Sequence, residues 1–206
     1  MVFFLYPIDT QLNAEYESSS GFQDAFSKIM SVSLTKFKQV LKCSWLDTKL
    51  GAMIAISDDD ALYLLEFVDR RGLEREIERL RFKTKSEILP EITDPIKSIM
   101  LELKSYFEGT LTEFKTPIHL LGSPFQRLVW EELMRIPYGQ TRTYGAQAKA
   151  IGKPTAFRAV ANANGANQLA IVIPCHRIIN SNGNLGGYGG GIMRKQSLIN
   201  HEKQIF

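Results

Sequence analysis

Cysteine is nearly absent from this chain: Cys43 and Cys175 are the only two in 206 residues, far apart and without any Cys-x-x-Cys or Cys/His ligand spacing. That excludes a disulfide framework and a structural zinc site, and it points to a reducing compartment, cytosol or nucleoid. No apolar run approaches the length of a bilayer-crossing helix. The opening Met1 to Pro7 is apolar, but it has no basic segment and is interrupted by Pro7 and Asp9, so no signal peptide is expected. Acidic residues are scarce after position 116, where only Glu131, Glu132 and Glu202 stand against 10 basic side chains. The first 116 residues carry 15 basic and 19 acidic ones, so a net charge of −4 precedes a net charge of +7. A basic part joined to a mildly acidic one suggests a polyanion as partner, nucleic acid first.

With 44% apolar residues the chain has the composition of an ordinary globular protein. Residues 1 to 35 read as an extension with one short helix around Phe22 to Met30. From 36 to 116 the pattern predicts an α/β domain. Val40 to Trp45, Leu50 to Ser57 and Leu62 to Phe67 read as strands separated by turns at Lys49-Leu50-Gly51 and Asp58-Asp59-Asp60. Arg71 to Thr84 and Pro95 to Phe107 have apolar residues at helical spacing and should cover the sheet, with Gly109 closing the second helix. Leu111 to Pro117 is a candidate for one more strand. The three aspartates read as a solvated turn, because no further acid follows at the spacing of a calcium loop. Cys43 reads as a buried or incidental thiol.

Residues 117 to 206 form the second, mostly helical domain. Ser123-Pro124-Phe125-Gln126 has a capping-box pattern, and Phe125, Val129, Leu133 and Ile136 continue at helical spacing. Thr143 to Lys149, a Gly152-Lys153-Pro154 turn and Thr155 to Asn164 make a helix-turn-helix arrangement. The small residues of the second helix, Ala156 and Ala159 among them, would let it approach a groove closely, although alanine is also simply a good helix former. Ile171-Val172-Ile173 and Ile178-Ile179 read as buried extended segments on either side of Pro174-Cys175-His176-Arg177. The stretch from Asn180 to Gly191 has the glycines of a loop whose backbone can come close to a ligand, without a nucleoside-triphosphate fingerprint. Arg194 to Glu202 ends the pattern as a helix.

Pro174-Cys175-His176-Arg177, the helix-turn-helix, the glycine loop and the Arg194 to Glu202 segment together resemble the O6-alkylguanine-DNA alkyltransferase family, over about Ser123 to Glu202. The resemblance implies a small antiparallel sheet with helices, ribonuclease H-like, followed by a winged-helix or helix-turn-helix domain. It implies direct-reversal repair, in which O6-alkylguanine, and O4-alkylthymine with it, is flipped out of DNA and its alkyl group moves irreversibly to Cys175. It matches His176 to the histidine that activates the thiol through a water, Glu202 to the acid that holds the histidine, and Asn167 to the hinge asparagine. Tyr144 matches the tyrosine at the 3′ phosphate, Arg158 the residue that fills the vacated base position, and Tyr188 the tyrosine contacting guanine. Ala156 and Ala159 would lie against the minor groove. Gly189 stands where some members have serine, which bears on one substrate hydrogen bond and on alkyl size. The expected partner is double-stranded DNA containing the lesion, with no cofactor, no metal, no membrane and no obligate protein partner. A cytoplasmic monomer is the implied form. The zinc domain and activator of the family's adaptive-response relatives have no counterpart here, so a regulatory role is not expected.

The residue chemistry agrees with this resemblance independently. A thiol near pKa 8.5 needs help to become the nucleophilic thiolate near neutral pH, and a histidine oriented by a carboxylate supplies it. A thioether product resists hydrolysis, so one turnover per chain is expected. Two other readings remain: a non-catalytic lesion sensor, which would lack an acceptor cysteine, and a cysteine hydrolase. Adjacent residues on an extended chain face opposite ways, which disfavours a direct Cys175-His176 pair and suits a water-bridged one.

Overall fold

The computed structural model describes residues 39–203. The helix expected around Phe22 to Met30 lies outside the described residues. A four-stranded sheet is built from β1 (Gln39–Leu46), β2 (Met53–Ser57), β3 (Leu62–Phe67) and β4 (Ser86–Pro90), in the order β3-β2-β1-β4. β2 and β3 are buried at every position, so both faces of the sheet must be covered. On one face Leu41, Ile54, Ile56 and Leu64 pack with Leu73, Ile77 and Leu80 of α1 (Leu73–Thr84). On the other, Met53, Ala55, Leu65 and Phe67 share a core with Ile96, Ile99 and Leu103 of α2 (Asp94–Phe107) and with Val129, Leu133 and Leu198 from the second half of the chain.

The sheet is mixed rather than antiparallel. β1 pairs antiparallel with β2 but parallel with β4, because α1 carries the chain from β3 back across the sheet before β4 begins. The fourth strand is therefore Ser86–Pro90 and not Leu111 to Pro117. In the latter segment the N–H groups of Lys115 and Thr116 donate to the Glu102 carboxylate at 2.7 and 3.1 Å instead of entering a ladder.

The outer edge of β3 does not stay open. Leu62 exchanges backbone hydrogen bonds with Pro117 and His119, and Leu65 with Gln168 and Ala170. A strand edge is thus finished by two short pieces of the second half, the later of which leads directly to Cys175. That half contains α3 (Pro124–Met134), β5 (Arg142–Thr143), α4 (Tyr144–Ala150), α5 (Phe157–Gly165), a 3-10 turn at Cys175–Arg177, β6 (Ile178–Ile179) and α6 (Ile192–Lys203). The capping box expected at the start of α3 is present in both directions, Gln126 N–H to Ser123 Oγ at 3.2 Å and Ser123 N–H to Gln126 Oε1 at 2.9 Å. Gly152, at φ 71°, makes the turn between α4 and α5, and α5 starts at Phe157.

Candidate active site

α5 is fixed by its inner face and left open on its outer one. Val160, Ala163 and Asn164 are buried. Gln147 and Asn164 exchange amide hydrogen bonds at 2.8 and 3.3 Å, and the Trp130 indole donates to the Ala163 carbonyl at 2.8 Å. Arg158 and Ala159 are exposed on the other side, Ala156 is half-buried at the helix start, and the Arg158 guanidinium lies 5.8 Å from the exposed Phe157 ring. Arg158 is thus an exposed positive charge beside the small Ala156 and Ala159 on the outer face of α5.

Beyond α5 the chain tightens. Ile171 to Ile173 is not extended but forms a turn, in which Ile171 adopts φ 70°. A β-branched residue in the left-handed region carries strain of about 1–3 kcal/mol, which the surroundings must offset. Three contacts do so: Ala170 N–H to the Leu65 carbonyl at 2.8 Å, Ile173 N–H to the Leu169 carbonyl at 2.9 Å, and the Asn167 amide to the Ile173 carbonyl at 2.9 Å. Asn167 also accepts from Leu169 N–H at 3.0 Å and donates to Cys175 Sγ at 3.2 Å. Cys175 and His176 consequently lie on a 3-10 turn rather than an extended chain, and the imidazole is buried in the protein.

His176 is fully buried, with Nε2 2.8 Å from Glu202 Oε1. Arg177 grips the same carboxylate with both ends of its fork, Nε to Oε2 at 2.8 Å and Nη2 to Oε1 at 2.9 Å. Tyr106 donates to Oε1 at 2.8 Å and Gly139 N–H to Oε2 at 3.2 Å. Burial alone would raise the Glu202 pKa, but His176 and Arg177 outweigh it and hold the carboxyl well below the usual range. Burial lowers the His176 pKa despite the pull of Glu202, so the ring is neutral and able to accept a proton. Its Nδ1 has no hydrogen-bond partner among the described residues, and the same is true of the buried Tyr188 hydroxyl.

Cys175 opens on a cavity of about 300 Å³ whose rim includes Tyr144, Gly165, Tyr188 and Gly189. Burial pushes its thiol up to about 11, against the Asn167 hydrogen bond and the positive charges of Lys195 and Arg70. At rest the sulfur is a thiol. The glycine loop comes close because Gly190 packs on Phe67 of β3, where a Cβ would sit 2.7 Å from the ring. Arg194 ties the start of α6 to the sheet domain through Leu50, Asp69 and the Phe67 ring.

Of the residues singled out from sequence, Cys175, Tyr144, Tyr188 and Gly189 line one cavity, Asn167 touches the sulfur, and His176 with Glu202 lies directly behind. Arg158, Ala156 and Ala159 are not in the cavity but on the outer face of α5. Sequence reasoning missed Tyr106, which resembles any core aromatic of an amphipathic helix, and Lys195, a fully buried cation whose Nζ donates to the Gly187 carbonyl at 3.2 Å. Burial lowers Lys195 to about 8. It also missed Arg70, which no local pattern distinguishes from its neighbour Arg71.

A family model described as 6-O-methylguanine DNA methyltransferase, DNA binding domain, matches residues 124–204. The methylated-DNA–protein-cysteine methyltransferase of Mycobacterium leprae is 40% identical over 164 residues, which covers 80% of this chain and 93% of that protein. The enzyme of the same name from Mycolicibacterium paratuberculosis is 55% identical over 103 residues, covering 50% of this chain and 62% of its own length. Against that relative the match spans less than two thirds of the protein. Among solved structures, the O6-methylguanine methyltransferase of Mycobacterium tuberculosis aligns with a TM-score of 0.70 at 37% identity over 81% of this chain and 95% of that one. A crystal structure of the Mycobacterium tuberculosis protein in complex with DNA aligns with a TM-score of 0.69 at 37% identity, over 80% and 94%.

Proposed function

Because the chain belongs to the O6-alkylguanine-DNA alkyltransferase family, we propose that it repairs DNA by moving the alkyl group of O6-alkylguanine onto Cys175, once per molecule. The observation that carries this reading is the placement of Cys175 Sγ in an open cavity, 3.2 Å from the Asn167 amide and with the buried His176–Glu202 pair behind it. The resting thiol is protonated, so deprotonation must accompany substrate entry. His176 takes the proton through one water bridging Nδ1 and sulfur, while Glu202 holds the ring and stabilises the imidazolium that forms. The sulfur then attacks the alkyl carbon. The S–C bond forms as the C–O6 bond breaks, and the electron pair leaves with guanine. Tyr188, whose hydroxyl has no partner among the described residues, donates to the purine as that charge develops. A thioether resists hydrolysis, so the chain is consumed. No metal or cofactor enters any step.

Access to the lesion falls to α5. Its small residues Ala156 and Ala159 let the helix lie close in the minor groove, Arg158 occupies the space of the extruded nucleotide, and Tyr144 at the cavity rim meets the 3′ phosphate. Extrusion costs a few kcal/mol and less for a poorly paired base, so damage itself favours entry. Contacts from the basic half go to phosphates, which makes binding indifferent to sequence and sensitive to salt. Double-stranded DNA is the partner, a monomer the working form, and cytoplasm and nucleoid the location. The finer fold classes, ribonuclease H-like for residues 36–116 and winged-helix for 117–206, belong to the same proposal, as does O4-alkylthymine as a second substrate. Titration with duplex DNA carrying O6-methylguanine tests the reading. Repair that stops at one equivalent per chain supports it, whereas continued turnover identifies a hydrolase, and unmodified protein bound to the lesion identifies a sensor.

A further inference from the structure

A buried ionic cluster sits on the sheet-domain side of the cavity, made from residues the transfer chemistry above does not use. Arg70, in the turn between β3 and α1, has one guanidinium nitrogen 2.6 Å from Glu66 on β3 and 2.8 Å from Glu76 on α1. All three side chains are largely buried. The guanidinium continues past these carboxylates into the second half of the chain. It donates to the Asn167 carbonyl at 3.2 Å and to the Gly165 carbonyl at 3.0 Å, at the point where α5 ends and the thiol-bearing turn begins. On its far side it lies against the glycine loop, where a methyl group placed on Gly189 would sit 3.0 Å from Arg70 Nε and 3.2 Å from Cζ. An arginine side chain usually yields to such a contact by swinging into solvent. This one is tied to two carboxylates and two carbonyls and cannot.

We propose that Arg70 is a positioning residue for alkyl transfer: its guanidinium spans the two walls of the substrate cavity, Gly165 to Asn167 on one side and Gly189 on the other, and sets the distance between them. This inference rests on the transferase reading and names the residue that gives the cavity its width. Two consequences are built into the geometry. The Asn167 that Arg70 holds by its carbonyl is the residue whose amide meets Cys175 Sγ, so a shift of Arg70 moves the contact at the nucleophile. The absence of a side chain at residue 189 is a requirement of the guanidinium behind it, because the two compete for the same space. Nη1 meets Glu66, Glu76 and the Asn167 carbonyl while Nη2 reaches the Gly165 carbonyl, so a lysine ammonium, with its three donors at a single point, would lose the Gly165 contact. Burial pushes Glu66 up to about 8 against the pull of Arg70.

The test is single-turnover kinetics of the full chain on duplex DNA containing O6-methylguanine, well below the melting temperature of each variant. The rate constant at saturation is separated from the DNA concentration giving half of it. Arg70→Met is expected to lower the saturating rate constant about 10- to 100-fold, the usual consequence of misplacing a reacting group by around 1 Å, with the half-saturating concentration unchanged. Arg70→Lys, which keeps the charge paired and the fold supported, should fall between Arg70→Met and wild type. Gly189→Ala should slow the wild-type chain but add nothing when combined with Arg70→Met. Arg70 variants that melt earlier yet transfer at the wild-type rate constant overturn the inference, as does a Gly189→Ala loss of equal size with and without Arg70→Met. A wild-type chain that takes up no alkyl group overturns the transferase reading and this inference with it; an active wild type beside equally active Arg70 variants overturns the inference alone.

Discussion

The two cysteines sit in the two halves of one molecule, and resting acidity does not tell them apart. Cys43, on β1, is packed among Leu41, Ile54 and Ile88, and burial pushes its thiol up to about 12 with only Arg81 pulling the other way. Cys175 is pushed up to about 11 by the same cause. What differs is the surroundings. Cys43 is closed in by the sheet and α1, whereas Cys175 is half-buried, opens on a cavity of about 300 Å³, and has an amide donor on its sulfur and a neutral imidazole next in the chain. Under the proposed transfer, reactivity comes from access and a proton route, supplied when the substrate arrives, rather than from a thiolate stored in advance.

Substitutions sharpen that contrast in order of size. Cys175→Ala should abolish alkyl uptake from O6-methylguanine DNA altogether while leaving lesion binding in a mobility-shift assay intact. Glu202→Gln should slow transfer at least about 100-fold, the usual scale of a lost acid-base relay, as read in single-turnover assays. Because Arg177 then loses its buried partner, chemical denaturation should also show a stability loss of about 3–5 kcal/mol. Arg158→Ala should weaken repair of duplex DNA about tenfold, part of the few kcal/mol that extrusion requires, and leave reaction with free O6-alkylguanine unchanged. Equal losses in both assays remove Arg158 from the flipping step. Cys43→Ala should lower stability by about 1 kcal/mol and leave the stoichiometry of transfer untouched.

The pH dependence of stability follows from the same site. His176 and Glu202 both bind protons less readily in the fold than in the unfolded chain. Stability they contribute is therefore present above the ordinary values and is lost as acid is added, beginning below about 6.5 for His176 and below about 4.3 for Glu202 and continuing down through their lowered folded-state values. Glu66 works in the opposite sense, since its raised pKa contributes stability at low pH that is lost as pH rises through about 8. Denaturation of the Glu66→Gln variant should show the acid-side loss without that opposing contribution.

Local pattern made much of this molecule legible. The capping box at Ser123, the helix-turn-helix spacing around Gly152 and the amphipathic faces of α1 and α2 are short-range signals, and the structure has those elements within a few residues of where the sequence places them. Pro174 to Arg177 stands out as four consecutive residues, but the roles assigned to it come from the family resemblance rather than from local pattern. The remainder depends on contacts between distant parts of the chain. β4 is five residues ending in proline, and its strand character comes from pairing with β1. The turn at Ile171 overrides three β-branched residues because Leu65 and Asn167 hold it. Arg70 and Tyr106 reach the site from the first half through tertiary packing, and no spacing rule connects them to Cys175.

Peptide-resolved mass analysis after incubation with duplex DNA containing O6-methylguanine tests the central claim most directly, because it asks which of the two thiols is consumed. One methyl group, confined to the peptide carrying Cys175 and absent from the peptide carrying Cys43, is the predicted result. Methyl distributed over both cysteines, or an unmodified chain beside repaired DNA, would contradict it.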